Sequence, residues 1–170
     1  MKEPSSVLET KLITCCKEEV ILFLKSHPEY FEETIELALS DKQPYSWRAA
    51  FSLWACMEEN DKRVQKHMGS IISAIKTKKD GHQRELLKIL YRMKLKEKYE
   101  SVVFDTCLGL WQQIDKNPSV RITSLKFIIR IVKKYPDLLK EISYITQEHY
   151  LNSLSPGVKK SAGKMLREIM

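Results

Sequence analysis

Apolar residues recur along nearly the whole chain at the three- and four-residue spacing of an amphipathic helix. Between residues 82 and 95 the stripe consists of Leu86, Leu87, Ile89, Leu90 and Met93. Between 119 and 134 it consists of Val120, Leu125, Ile128, Ile129 and Val132. No stretch alternates apolar and polar residues with period two over the length of a strand. The pattern therefore predicts an all-α protein.

Breaks in these stripes and the positions of proline divide the chain into nine predicted helices. We place them near residues 6–26, 29–40, 46–58, 61–77, 82–95, 98–115, 119–134, 137–153 and 157–169. Pro118 and Pro156 fit this division, because proline cannot continue a helix interior but is well tolerated in its first turn.

The helical pattern also repeats along the chain. Segments beginning at Trp47, His82, Val120 and Val158 align with spacings of 35 to 38 residues. A second alignment pairs residues 25–31 with 133–139, an offset of 108 residues or three periods of 36. Such short helix pairs have too little core of their own, so neighbouring pairs must stack. We predict one domain over 1–170, an α-solenoid of four to five helix pairs.

The run Asp-Lys-Asn-Pro-Ser-Val-Arg at 115–121 resembles the turn of a HEAT repeat, in which Asp, Pro and Val-Arg open the second helix. Looser copies occupy 41–48 and 152–159. The chain thus resembles the HEAT-like, armadillo-type family over nearly its whole length. The resemblance implies a right-handed solenoid, with the second helix of each pair lining a concave face.

The same resemblance implies a ladder of Asp and Arg side chains between neighbouring repeats. Arg48, Arg121 and Lys159 hold the basic position of the motif. We expect them to be structural partners of Asp41, Asp115 and neighbouring residues rather than ligand contacts.

Composition narrows the class of protein. Apolar residues make up 43% of the chain and charged residues 30%, as in folded soluble proteins. No apolar run exceeds five residues, the length of 20–24, which is far short of the roughly 20 residues that span a membrane. The first residues lack the features of a signal peptide. We expect a cytoplasmic protein.

The chain shows no sequence pattern of a metal site. Its four cysteines have no C-x-x-C spacing, its four histidines are scattered, and the cysteines fall within apolar helical patterns. We interpret the cysteines as buried free thiols and expect no metal and no cofactor.

Charge is distributed unevenly along the chain. Residues 1–61 carry a net charge of −6, residues 62–98 carry +9, and residues 99–170 carry +4. This split favours an acidic or polyanionic partner for the later part of the chain. An uneven but merely solvated surface is the alternative.

The strongest functional signal is a basic stripe on the predicted second helices. Counting from His82, Val120 and Val158, the positions six and ten residues later face away from the apolar stripe. They hold Lys88, Arg92, Lys126, Arg130 and Lys164, with Glu168 at the last position. Neighbouring helices pack about 8–10 Å apart, so these cations would form two rows suited to phosphates or an acidic protein surface. In the earlier repeat the same positions hold Leu53 and Met57, and lysine as ordinary filler of a polar face is the alternative interpretation.

An enzymatic alternative depends on Trp111 and Asp115, which lie four residues apart on one helix face. This pair resembles the DNA alkylation-repair glycosylases built from HEAT-like repeats, in which aromatic residues and an Asp act on a charged base. The glycosylase hypothesis requires both side chains to be accessible in a groove, whereas core packing of Trp111 and a turn role for Asp115 compete with it. Phosphate-loop, zinc-protease and nucleophile-elbow motifs are absent from the sequence.

The sequence therefore favours a non-catalytic binding or scaffold module for an acidic protein or nucleic acid, with no membrane partner. Trp47 is expected to be buried, while Trp54 either flanks the groove as part of an apolar patch for an amphipathic peptide or packs against the N-terminal repeat. The apolar residues Met165, Leu166 and Ile169 near the C-terminus would permit self-association.

Overall fold

The computed structural model describes residues 4–169, and within this range the chain forms twelve α-helices, two 3₁₀-helices and no strand. The α-helices are α1 (Val7–Thr14), α2 (Lys17–Ser26), α3 (Phe31–Leu39), α4 (Tyr45–Cys56), α5 (Lys62–Gln65), α6 (Met68–Ile75), α7 (Asp80–Tyr91), α8 (Glu97–Gln112), α9 (Pro118–Lys134), α10 (Leu138–Ile142), α11 (Glu148–Asn152) and α12 (Pro156–Leu166). The 3₁₀-helices span Pro28–Tyr30 and Ser143–Thr146. The all-α prediction is confirmed.

The predicted number of nine helices is wrong, because the helices predicted over 6–26, 61–77 and 137–153 are each interrupted. Between α1 and α2, the Glu19 carboxylate accepts a hydrogen bond from the Cys16 backbone N–H at 2.8 Å and supports a new helix start. The apolar stripe continues across this break, so periodicity alone does not detect it.

Contacts within the chain form two compact units, one ending at Lys94 and the other beginning at Leu95. The single domain over 1–170 and its right-handed solenoid stay predictions.

The first unit is built on two helix hairpins. Helix α3 packs on α4 and α6 on α7, while α4 also packs on α7 and receives α1 and α2. Its core includes the fully buried Leu8, Ile35, Leu53, Ile71 and Leu86.

The second unit contains the hairpin of α8 and α9, with α12 packed on α9. Asn117 caps α9 by accepting a hydrogen bond from the Ser119 N–H at 2.9 Å, directly before Pro118 in the first turn. At the start of α9, the Arg121 guanidinium donates at 2.6 Å to the hydroxyl of Ser153, which lies just before α12. At the end of α9, the Lys133 ammonium lies 2.5 Å from the carboxylate of Glu168, just after α12. The helices α9 and α12 are therefore parallel neighbours.

Burial on the second helices reveals a shared register. In α7 and α9 the positions 0, +1, +4, +5, +7 and +8, counted from His82 and Val120, are buried. In α4 the same six positions are buried only when counting starts at Tyr45, so the alignment on Trp47 was displaced by two residues. The expected burial of Trp47 is accordingly wrong, because this side chain is 37% exposed at position +2.

The basic motif residues are structural, but their expected aspartate partners are wrong. The Arg48 guanidinium donates to the Leu12 carbonyl in the last turn of α1, and that of Arg121 to the Trp111 carbonyl in the last turn of α8 at 3.0 Å. Cations are favourable there because helix C-termini carry unpaired carbonyl groups. The Lys159 ammonium instead donates to the Asn152 amide oxygen at 2.6 Å.

One ion pair resembles the expected ladder. Asp41 lies 2.5 Å from the buried Lys78 ammonium, about one repeat period away. The expected burial of all four cysteines is wrong, since only Cys107 is buried, Cys15 and Cys56 are half-buried and Cys16 is exposed.

Candidate functional site

The corrected register defines one outward face on each second helix, formed by positions +2, +6 and +10. Along α7 and the residue after it these positions hold Arg84, Lys88 and Arg92, and on α9 they hold Ile122, Lys126 and Arg130. On α12 they hold Lys160 and Lys164, with Glu168 just after the helix, and on α4 they hold Trp47, Phe51 and Ala55. Sequence analysis placed Leu53 and Met57 on this face, and both are instead buried.

The two cations predicted on α7 are engaged within the first unit. The Lys88 ammonium lies 3.1 Å from a Glu85 carboxylate oxygen and 4.4 Å from the centre of the Trp54 ring. The Arg92 guanidinium donates to the Trp54 carbonyl at 3.0 Å and lies 3.4 Å from the Glu59 carboxylate. Both cations therefore have intramolecular partners, which reduces the positive charge that α7 offers to a ligand.

A buried carboxylate explains much of this arrangement. The Glu85 side chain is fully buried, yet its oxygens meet the guanidinium of Arg84 at 2.6 Å and the ammonium of Lys88 at 3.1 Å. A buried charge is stable only when paired and hydrogen-bonded in this way. Sequence analysis did not identify the cluster, because Glu85 lies one residue before an apolar stripe and looks like an exposed helix residue.

The three cations predicted on the second unit lie on the two parallel helices α9 and α12. Lys126 and Lys164 are exposed, and within residues 4–169 neither forms an ion pair. The pairing of Lys133 with Glu168 fixes the relative register of the two helices. One turn before this pair lie Arg130 on α9 and Lys164 on α12, each at an outward-facing position of its helix.

We define the α9–α12 basic face by the exposed or half-buried cations that share this side of the two helices. Its members are Lys126, Arg130, Lys133, Lys160 and Lys164. Neither helix contains an Asp or Glu within its bounds. Sequence analysis missed Lys133 and Lys160, although their helical phase, close to that of positions +6 and +10, was a usable signal.

The opposite edge of α9 is neutralised. Lys134 lies 2.8 Å from the Glu100 carboxylate, which also accepts a hydrogen bond from the Tyr135 hydroxyl at 2.8 Å. Burial raises the pKa of Glu100, but these hydrogen bonds and the charges of Lys134 and Arg130 hold it below its usual value. The charge of Lys134 at this edge of α9 is therefore balanced by Glu100.

The residues of the glycosylase hypothesis do not form an accessible pair. The Trp111 side chain is fully buried, its indole N–H donates to the Ile145 carbonyl at 3.1 Å, and the Arg121 guanidinium lies 4.8 Å from its ring centre. Asp115 is exposed, beyond the end of α8. In this arrangement Trp111 has no exposed face on which a base could stack.

Two kinds of feature are absent from the described part of the chain. It contains no group of three or more His, Cys, Asp or Glu side chains that could hold a metal ion. It also contains no helix with the length and apolar character to span a bilayer.

Comparisons with known proteins give the family. The family model described as HEAT repeat domain matches residues 6–169. Neither the curated proteins nor the solved structures yielded a match. The match covers nearly the whole chain, and we conclude that the chain belongs to the HEAT repeat family.

Proposed function

We propose that this protein is a non-catalytic interaction scaffold whose α9–α12 basic face holds an acidic partner, either an acidic protein surface or a nucleic acid backbone. The observation that carries the proposal is the set of five cations on two parallel helices that contain no carboxylate within their bounds. One of them, Lys133, is paired with Glu168 just after α12, whereas Lys126, Lys160 and Lys164 form no ion pair within the described residues. Membership of the HEAT repeat family supports the scaffold role.

Electrostatics sets how such a face would act. Exposed ion pairs contribute only about 0.2–1 kcal/mol each, and salt screens them. A group of several surface charges increases the association rate and disfavours basic partners more than it increases the affinity. Binding through this face should therefore weaken steeply as ionic strength rises.

The composition of the face also limits the class of nucleic acid. The only aromatic residue on α9 and α12 is Phe127, and it is fully buried. Recognition of single strands uses exposed aromatic rings on which bases stack. The face is thus better suited to an acidic protein surface, with duplex nucleic acid as the competing outcome.

The test is a charge-reversal variant of the full chain, Lys126→Glu with Lys160→Glu and Lys164→Glu. Arg130 is left unchanged because its charge also acts on Glu100. The matched control reverses Lys25, Lys62 and Lys76, which are exposed residues of the first unit, and changes the net charge equally.

The probes are an oligoglutamate peptide and a short DNA duplex, titrated at several salt concentrations. We expect the affinity of the α9–α12 variant for the probes to be about tenfold or more below that of the wild type. For the duplex, the slope of log affinity against log salt concentration should become shallower by about 0.9 for each lysine–phosphate contact that is lost. The control variant should bind within about twofold of the wild type. Equal losses in the two variants, or no binding of either probe to the wild type, would reject the proposal.

A further inference from the structure

Helix α4 departs from the other second helices at the positions that face outward. Where α7 has Arg84 and Lys88, α4 has Trp47 and Phe51, one helical turn apart. Trp47 is 37% exposed, and within the described residues its indole N–H has no hydrogen-bond acceptor. A large aromatic side chain that is partly exposed at the surface is characteristic of interface residues.

These two rings border a cavity of about 230 Å³ within the first unit, which we call the Trp47 pocket. Its apolar wall is completed by Leu12 and Val20, from α1 and α2. Its charged lining residues are Lys17, Arg48 and Arg84, and within residues 4–169 no Asp or Glu lines it. Arg84 is paired with the buried Glu85 at 2.6 Å. The pocket thus combines an apolar interior with a positive rim.

The local charge contrasts with the net charge of −6 over residues 1–61. Several carboxylates of this unit are already paired with side chains elsewhere: Glu9 with Lys42 at 2.6 Å, Asp41 with Lys78 at 2.5 Å, and Asp61 with Arg63 at 2.7 Å. The Lys17 ammonium instead lies 4.5 Å from the centre of the Phe51 ring, on the pocket wall. The acidic composition of the segment therefore does not describe the field at the pocket.

The size of the pocket indicates what fits. Small-molecule sites usually have volumes of about 300–1,000 Å³, so 230 Å³ is small for a whole ligand. It is better suited to one large apolar side chain projecting from a protein segment. Interface energy is commonly concentrated in such anchor pockets with Trp and Arg in their walls.

We propose that the Trp47 pocket binds one large apolar side chain of an acidic segment of another protein. Carboxylates beside that side chain would lie against Lys17, because Arg84 is paired with Glu85 and the Arg48 guanidinium donates to the Leu12 carbonyl. The choice of an acidic segment follows from charge complementarity with the rim. This site belongs to the first unit and is independent of the α9–α12 basic face.

The test is selection of a displayed library of random linear peptides on the full-length chain. Enriched peptides should combine a large apolar residue with flanking Asp or Glu. Their affinity, measured by fluorescence polarisation, should fall about tenfold or more with Trp47→Ala and severalfold with Lys17→Glu. Leu22→Ala is the matched control, because Leu22 is a 64% exposed apolar residue of the same unit outside the pocket lining, and it should leave affinity unchanged.

Melting curves identify any variant that fails to fold, and Lys17→Glu then serves as the second, milder probe. The absence of enriched peptides overturns the proposal, as does enrichment of peptides without acidic residues. Peptides that bind Trp47→Ala and Lys17→Glu as tightly as the wild type also overturn it. Peptides whose binding depends on Lys126, Lys160 and Lys164 but not on Trp47 would support the basic face and refute the pocket. Peptide binding that is lost in Trp47→Ala but retained in the α9–α12 variant would support the pocket alone.

Discussion

Arg121 is fully buried, and its three observed hydrogen bonds go to neutral oxygen atoms rather than to a carboxylate. The guanidinium donates to the Trp111 carbonyl at 3.0 Å, to the Ser153 hydroxyl at 2.6 Å and to the Tyr150 carbonyl at 2.6 Å. Burial lowers the pKa of Arg121, but arginine remains charged at neutral pH. Because the Trp111 and Tyr150 carbonyls lie near the C-terminal ends of α8 and α11, they supply the negative potential that holds the cation.

Arg121→Met tests this role while keeping much of the side-chain volume. The substitution leaves two backbone carbonyls without their donor, at about 1–3 kcal/mol for each unsatisfied group. We therefore expect a loss of about 2–4 kcal/mol, since water entry relieves part of the cost. Domains are stable by about 5–15 kcal/mol, so this loss is large.

Urea denaturation followed by circular dichroism and by tryptophan fluorescence measures the effect. Lys126→Met is the matched control, because Lys126 is exposed on the same helix, and it should change the free energy of unfolding by less than about 0.5 kcal/mol. The dependence of that free energy on urea should be unchanged in both variants. If Arg121→Met were as stable as the control, the account of Arg121 as a shared cap of two helices would be refuted.

Two further predictions concern titratable groups. Burial lowers the pKa of His82, whose Nε2–H donates to the Ala38 carbonyl at 2.7 Å, so the folded state favours the neutral ring. The contribution of neutral His82 to the free energy of unfolding should be complete above the unfolded pKa of about 6.5 and should fall as the pH drops below that value. His82→Gln should flatten this fall in thermal melts from pH 7.5 to 5. A melting temperature that falls with pH as steeply in the variant as in the wild type would contradict the assignment. Burial raises the pKa of the Cys56 thiol to about 11 and raises that of Cys107 further. Iodoacetamide labelling read by mass spectrometry should modify the exposed Cys16 first and Cys107 only after unfolding, and early labelling of Cys107 would refute its burial.

Periodicity was sufficient to predict the helical class and the faces of the longest helices. Lys126 and Lys164 are exposed where the helical phase placed them, because few tertiary contacts reach that side of α9 and α12. Whether they bind a ligand stays a prediction. The register of α4 was misjudged because Trp47-Arg48 imitates the Val120-Arg121 motif, whereas burial follows Tyr45.

Contacts between residues distant in sequence account for most of what the sequence did not predict. Arg92 is held by the Trp54 carbonyl, 38 residues away, and Arg121 by Tyr150 and Ser153, about 30 residues away. A helical pattern specifies which residues face inward or outward on one helix, but it does not specify which polar group on another helix meets them. The Trp47 pocket depends on four helices, α1, α2, α4 and α7, for the same reason.

The most direct test of the central claim is a nuclear magnetic resonance titration of the full chain with oligoglutamate at low and high salt. The account predicts that the largest amide shift changes fall on α9 and α12 around Lys126, Arg130, Lys160 and Lys164, and that they disappear at high salt. Shift changes spread over the whole surface, or concentrated on helices other than these two, would contradict it.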